Sequence, residues 1–172
     1  MSLKLITKYH PNGQKHYEGY YDETDPIGDQ VSWYDNGNKE YESIELNELS
    51  EICTYWYKNG NIKAKGLRTE YFESGLWTYW YDNGNKRAEG IFVDKDERAG
   101  KWRFWHDNGN IACSGVHKGW TGDGEWIFWN EAGIKIHDKT YRDSELLNVW
   151  KDLRLEGCSD DLVELFKDLI FN

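Results

Sequence analysis

The sequence predicts an all-β repeat protein: an elongated antiparallel meander of about six hairpin repeats with a period near 24, closed by a C-terminal helical hairpin. Three observations carry that expectation. The first is a recurring turn. The hexapeptide "YDNGNK" occurs verbatim at 34–39 and 81–86, and related turns place glycines at Gly13, Gly37, Gly60, Gly84, Gly109 and Gly133, spaced by 24, 23, 24, 25 and 24 residues. The second is composition. Aromatics make up 16% of the 172 residues, ten of them Trp, yet mean hydropathy is only −0.89. Such a chain is too aromatic for disorder and too polar for a thick core, which leaves a thin sheet of half-buried side chains. The third is a change of pattern from Asp143 onward, where apolar residues begin to recur every three or four positions.

Asn-Gly between runs of strand formers is a hairpin signal, and it appears as Asn12-Gly13, Asn36-Gly37, Asn59-Gly60, Asn83-Gly84 and Asn108-Gly109. The turn expected for it is type I′, with positive φ at both central residues. The sixth copy reads "NEAGIKI" from Asn130. After each turn comes a strand with a glycine six positions on, at Gly19, Gly66, Gly90 and Gly115; Ser43 and Lys139 take that place in the second and sixth copies. The next strand leads back into a turn, as in "GLWTYW", "GKWRFW" and "GEWIFW". Strand alternation puts Trp77 and Tyr79 on one face with Trp80 on the other, and Trp102 and Phe104 opposite Trp105. Gln30 and Cys53 stand where later copies have the leading Trp. The main expectation for these aromatics is a cross-strand ladder that holds the sheet together; the alternative is an open ladder that binds sugar rings or a peptide. Two strands per copy, roughly 4.8 Å apart, would extend the array to about 55–60 Å.

The array fills 1–142 and the cap 143–172. In the cap, Leu146, Leu147, Trp150 and Leu153, then Leu162, Leu165, Phe166 and Leu169, form two helical stripes. Gly157 can end the first helix, and Ser159 or Asp160 can start the second. A repeat array needs such a cap, because its last unit leaves an open edge and an unburied face.

The net charge of −10 is uneven. Positions 40–57 hold Glu40, Glu42, Glu45, Glu48 and Glu51 with no Lys or Arg, and 143–172 hold eight acids against three bases. The first cluster falls in the copy whose pattern is broken, "GNKEYESIELNELSEICTYW", which marks it as a candidate contact surface for a basic protein partner. Tyr71, Phe72 and Trp120, in connections outside the ladder, are the candidate apolar anchors. Alternation puts Glu40 and Glu42 on one face. Acidity weighs against nucleic acid and anionic lipid, so neither a nucleic-acid nor a membrane partner is expected.

The five histidines show no metal-ligand spacing, and "DKDE" at 94–97 lacks the remainder of a calcium loop. No phosphate-binding loop, nucleophile elbow or paired-cysteine motif appears, so neither enzyme activity nor a metal or other cofactor is expected. Three cysteines cannot all pair within one chain, and the N-terminus lacks a signal-peptide pattern, so a reducing cytoplasm is the expected compartment.

The pattern "Y-x-N-G…E-G-x-Y…G-x-W-x-x-W/Y-Y-x-N-G" resembles the MORN-variant repeat, the second MORN family, over roughly 9–141. Bacterial chains of this pattern are often labelled YwqK-like antitoxins. The resemblance implies a single-layered sheet that serves as a scaffold or binding module. The function expected is a non-enzymatic protein-interaction module of antitoxin or immunity type; the alternatives are a lipid-associated scaffold and a carbohydrate-binding module.

Overall fold

The computed structural model describes residues 3–118, 124–142, 149–155 and 157–171. Twelve strands form one antiparallel sheet whose spatial order is the chain order. They are β1 (Lys4–Tyr9), β2 (Lys15–Asp22), β3 (Asp25–Trp33), β4 (Lys39–Asn47), β5 (Ser50–Trp56), β6 (Ile62–Thr69), β7 (Phe72–Trp80), β8 (Lys86–Phe92), β9 (Arg98–Trp105), β10 (Ile111–Lys118), β11 (Gly124–Trp129) and β12 (Lys135–Tyr141). Among the described residues, one 3₁₀ turn, Asp94–Asp96, interrupts the array, and two helices follow it, α1 (Val149–Leu155) and α2 (Asp160–Phe171). The chain is therefore the expected all-β meander with a helical cap. Among the described residues, no helix is long and apolar enough to cross a membrane.

The repeated turn differs from the type I′ expectation. In the second hairpin the Gly37 amide donates to the Tyr34 carbonyl at 2.9 Å and the Tyr34 amide donates to the Asn38 carbonyl at 2.9 Å. Only Gly37 has positive φ, at 88°, while Asn36 does not. This is a three-residue loop: a type I turn followed by a left-handed glycine. The reason the same letters recur is a ladder between turns. Asn36 Oδ1 accepts from the Asn38 amide, while its Nδ2 donates to the Lys58 carbonyl at 2.7 Å and the Tyr34 hydroxyl donates to the Trp56 carbonyl at 2.8 Å. Asn59 and Tyr57 bond the Asp82 and Trp80 carbonyls in the same way, and Asn83 and Tyr81 bond those of Asp107 and Trp105. Each turn is tied to the next one along the array.

A β-bulge accompanies the turns. The register steps between Ser32/Trp33, Tyr55/Trp56, Tyr79/Trp80 and Phe128/Trp129, leaving one residue after each turn unpaired. Residues three apart across the bulge then share a face. Lys15 pairs with Glu18 at 2.6 Å, Lys86 with Glu89 at 2.6 Å and Lys135 with Asp138 at 2.5 Å.

One face of the sheet holds the core. Trp77, Trp102 and Trp126 are fully buried there, and each indole lies flat on a glycine. A Cβ built on Gly66, Gly90 or Gly115 would sit 2.2, 2.1 or 2.0 Å from the nearest indole atom. In these three copies the glycine six residues past the turn is thus required by the Trp on the following strand, whereas Gly19 has Tyr17 and Gln30 beside it. The second copy lacks both because they are one feature: Cys53 replaces the indole, and Ser43, paired with it, is fully buried.

The helices cover this face near its C-terminal end. Phe166 meets Phe128 edge-on at 5.1 Å between centroids and approaches His106 at 6.1 Å. The Arg98 guanidinium donates to the Ile170 carbonyl, where its charge also suits the end of the helix. The buried residues are Val149, Leu153, Val163, Phe166 and Ile170, with Leu162 and Leu165 partly buried against them; of the expected stripes, Leu146, Leu147 and the side chains of Trp150 and Leu169 lie outside the described residues. Gly157, at φ 84°, ends α1, and the Ser159 hydroxyl accepts from the Leu162 amide to cap α2. The cap shields the aromatic face rather than adding beyond β12, which has no further strand partner among the described residues.

Candidate partner-binding cleft

Among the described residues, the helices bond or stack against side chains between Arg98 and Tyr141, and the second and third repeats lie outside that range. There the tips of three neighbouring hairpins enclose a cleft of roughly 260 Å³. It is lined by Glu45, Glu48, Glu51 and Tyr71 from the expected site, together with Arg68 and Glu70. Glu45, near the end of β4, accepts from the Gly28 amide at 2.6 Å. Glu48 lies in the two-residue tip between Asn47 and Ser50 and is exposed. Glu51 faces Arg68 across the β5–β6 pair, 3.4 Å from Nη1. Four carboxylates against one guanidinium give the cleft an acidic balance.

Tyr71 is the most exposed large apolar side chain described, at 86%. Glu70 and Tyr71 form the tip between β6 and β7, with φ of 52° and 72°. Both central residues are left-handed, which is the type I′ geometry usually given to Gly, Asn or Asp. An aromatic residue in that region carries strain on the order of 1 kcal/mol. The Arg68 Nη2 donates to the Tyr71 carbonyl at 3.2 Å and holds the tip in place.

The remaining expected residues lie elsewhere. Glu40 is the bulge residue left unpaired between Ser32↔Tyr41 and Trp33↔Lys39, so it does not share a face with Glu42. Glu42 pairs with Lys39 on the open face. Glu40 occupies the place that Ala112 and Ile136 take in later copies, where both pack on the core. Its charge, after the larger effect of burial, helps to raise the Tyr34 pKa. Simple alternation failed here because it takes no account of a bulge. Phe72 pairs with Thr69, which turns it to the face opposite Arg68 and Glu73. Trp120 lies outside the described residues.

Arg68 of the cleft approaches Cys53 Sγ at 4.0 Å, and the Tyr41 hydroxyl lies 3.5 Å from the same sulfur. Burial pushes the Cys53 thiol up, and Tyr41 is likewise raised chiefly by burial, so both hold their protons at neutral pH. The site offers carboxylates and an aromatic ring, which suits recognition of a cationic surface. Arg68 and Glu70 were missed at the level of sequence. The signal available was the tip "TEYF", which has neither Gly nor Asn where its two-residue turn needs left-handed backbone.

On the opposite, open face the second Trp of each motif forms a row. Lys15, Lys39 and Lys86 lie over the rings of Trp33, Trp56 and Trp105, with Nζ 5.6, 5.4 and 5.5 Å from the centroids.

Comparison with known proteins gives one family. The MORN repeat variant matches residues 5–23, 73–94 and 98–118. No curated protein matches the chain. Among solved structures, the crystal structure of TarM aligns with a TM-score of 0.36 at 9% identity, covering 65% of this chain and 19% of that one. A mutant of S. aureus TarM in complex with Fondaparinux, alpha-GlcNAc-glycerol and UDP aligns with a TM-score of 0.37 at 8% identity and the same coverage. Scores this low establish neither a shared fold nor a shared activity. The three matched segments coincide with the β1–β2, β7–β8 and β9–β10 hairpins, so the first, fourth and fifth hairpins are similar to the MORN repeat variant.

Proposed function

We propose that this repeat array is a non-enzymatic protein-interaction module whose acidic cleft takes a basic partner, in the manner of an antitoxin or immunity protein. MORN repeats support the broader part of this reading, a repeat-based binding module. The observation that carries the finer part is Tyr71, 86% exposed on a strained tip beside Glu45, Glu48, Glu51 and Glu70. Folding alone gives no reason to keep an aromatic residue there. Complementary charge would speed encounter with a basic partner, and an aromatic anchor would supply much of the bound-state energy. The carbohydrate reading has less support, because lysines occupy the ring faces of Trp33, Trp56 and Trp105.

The test is capture of partners from a native lysate by the wild type and by Glu48→Lys/Glu70→Lys, at low and high salt. Both side chains are exposed, so the reversal leaves the fold intact. The reading expects a partner that the wild type recovers at low salt and the double variant does not. Equal recovery by both proteins would exclude the cleft as the recognition surface.

A further inference from the structure

The basic end of the molecule lies opposite its cap. The first 17 residues hold Lys4, Lys8 and Lys15 and no acid, in a chain of net charge −10. Their strand, β1, is the first of the sheet, and no strand pairs with its outer side among the described residues. From Lys4↔Tyr21 to Lys8↔Tyr17 it runs in unbroken register, with the bulge only after Lys8. Alternation sets Lys4, Ile6 and Lys8 on the core side and Leu5 and Thr7 on the open side. Leu5 is 49% exposed.

Some lysines of the sheet are ion-paired, while Lys63, Lys65 and Lys101 resemble those of this edge in having no ion pair among the described residues. Lys15, Lys39, Lys86, Lys135 and Lys139 are all ion-paired, the last of them with Asp152 of α1. Lys4 and Lys8 have no acidic partner among the described residues, and Lys8 rests only over the Tyr17 ring, 5.5 Å from its centroid. An unpaired edge presents alternate backbone N–H and C=O groups to any extended chain of matching register. Lysines on such an edge discourage a second copy of the same strand, since β1 against β1 brings like charges together. The same lysines favour a strand that carries acids at alternate positions.

We propose that the outer edge of β1 takes an extended acidic segment of another protein as a thirteenth strand, with its acids facing Lys4 and Lys8 and its apolar residues beside Leu5. Main-chain bonds would provide affinity, and the two lysines would select the charge pattern. This edge is separate from the cleft, so either site can fail without the other.

The probes are three blocked heptapeptides carrying a fluorophore: alternating Glu and Val, alternating Lys and Val, and the Glu peptide with its central Val replaced by Pro. Binding to the full-length protein is read by anisotropy, with amide-exchange protection of β1 as the structural readout. The Glu–Val peptide should bind, protect β1 amides and lose about tenfold in affinity with Lys4→Glu/Lys8→Glu, which should then accept the Lys–Val peptide. The Pro peptide, unable to complete the ladder, should bind weakly. Undiminished binding to the double variant, equal binding of the Pro peptide, no binding of the Glu peptide, or concentration-dependent dimerisation through β1 without peptide would each overturn the proposal.

Discussion

Gly90→Ala should be among the most damaging single-methyl changes in this protein. The new Cβ would sit 2.1 Å from Trp102 Cδ2, whereas ordinary contact begins at 3.4 Å, so the indole would have to retreat about 1.3 Å (3.4 minus 2.1). Trp102 has little room to do so. It is fully buried, stacked on Phe104 at 5.8 Å, met edge-on by Phe92 at 5.0 Å and covered by Arg98 at 4.7 Å. Overpacking a tight site costs about 1–3 kcal/mol, and the loss of an entire buried Trp about 3–5, so a cost near 3 kcal/mol is expected. For a chain of this size that lowers Tm by roughly 6–12 °C. Urea and thermal unfolding, followed by Trp fluorescence and circular dichroism, would measure it. Gly90→Ala/Trp102→Cys approximates the Ser43–Cys53 pair of the second copy, with Ala for Ser, and it should be less destabilised than the sum of its parts by at least about 1 kcal/mol. A loss below about 0.5 kcal/mol for Gly90→Ala, or strict additivity in the double variant, would refute the coupling of glycine and indole.

Tyr71→Gly should leave stability unchanged or raise it by up to about 1 kcal/mol, by relieving left-handed strain, while weakening partner capture; a large fall in Tm would show that Tyr71 is structural. His117, buried against Trp102 and Trp126, has its pKa pulled down to about 3, by burial first and then by the Arg98 guanidinium. The unfolded chain binds that proton below about pH 6.5 and the native one does not, so this group's contribution is full above pH 6.5 and declines toward pH 3, by at most about 1.4 kcal/mol per pH unit. His117→Phe should flatten that part of the stability–pH curve, and an unchanged slope would contradict the assignment. Deleting 143–172 uncovers Phe128 and His106, so light scattering should show association at rising concentration and Tm should fall by roughly 5 °C or more. A truncated chain that stays monomeric with an unchanged Tm would remove the capping role.

The meander was legible because its determinants are local and repeated. Asn-Gly turns, strand formers between them and a helical period after Asp143 each act within a few residues, and a period near 24 makes neighbours in sequence neighbours in the sheet. The positions of the turn glycines, the burial of Trp77, Trp102 and Trp126 and the caps at Gly157 and Ser159 follow from those rules. What they could not provide was anything set by contact between strands. A bulge adds one residue without changing the letters around it, so Glu40 and Glu42 separated although alternation joined them. The turn took type I geometry with its Asn side chain bonded to the next repeat, a partner some 20 residues away. The absence of both glycine and indole from the second copy became a single substitution only once Ser43 was seen beside Cys53. The cleft itself is tertiary: Glu45, Glu48, Glu51 and Tyr71 come from separate strands and tips. They meet Arg68 and Glu70 because the register of three hairpins stacks their ends, and register is an energy of pairing across strands that no single strand contains.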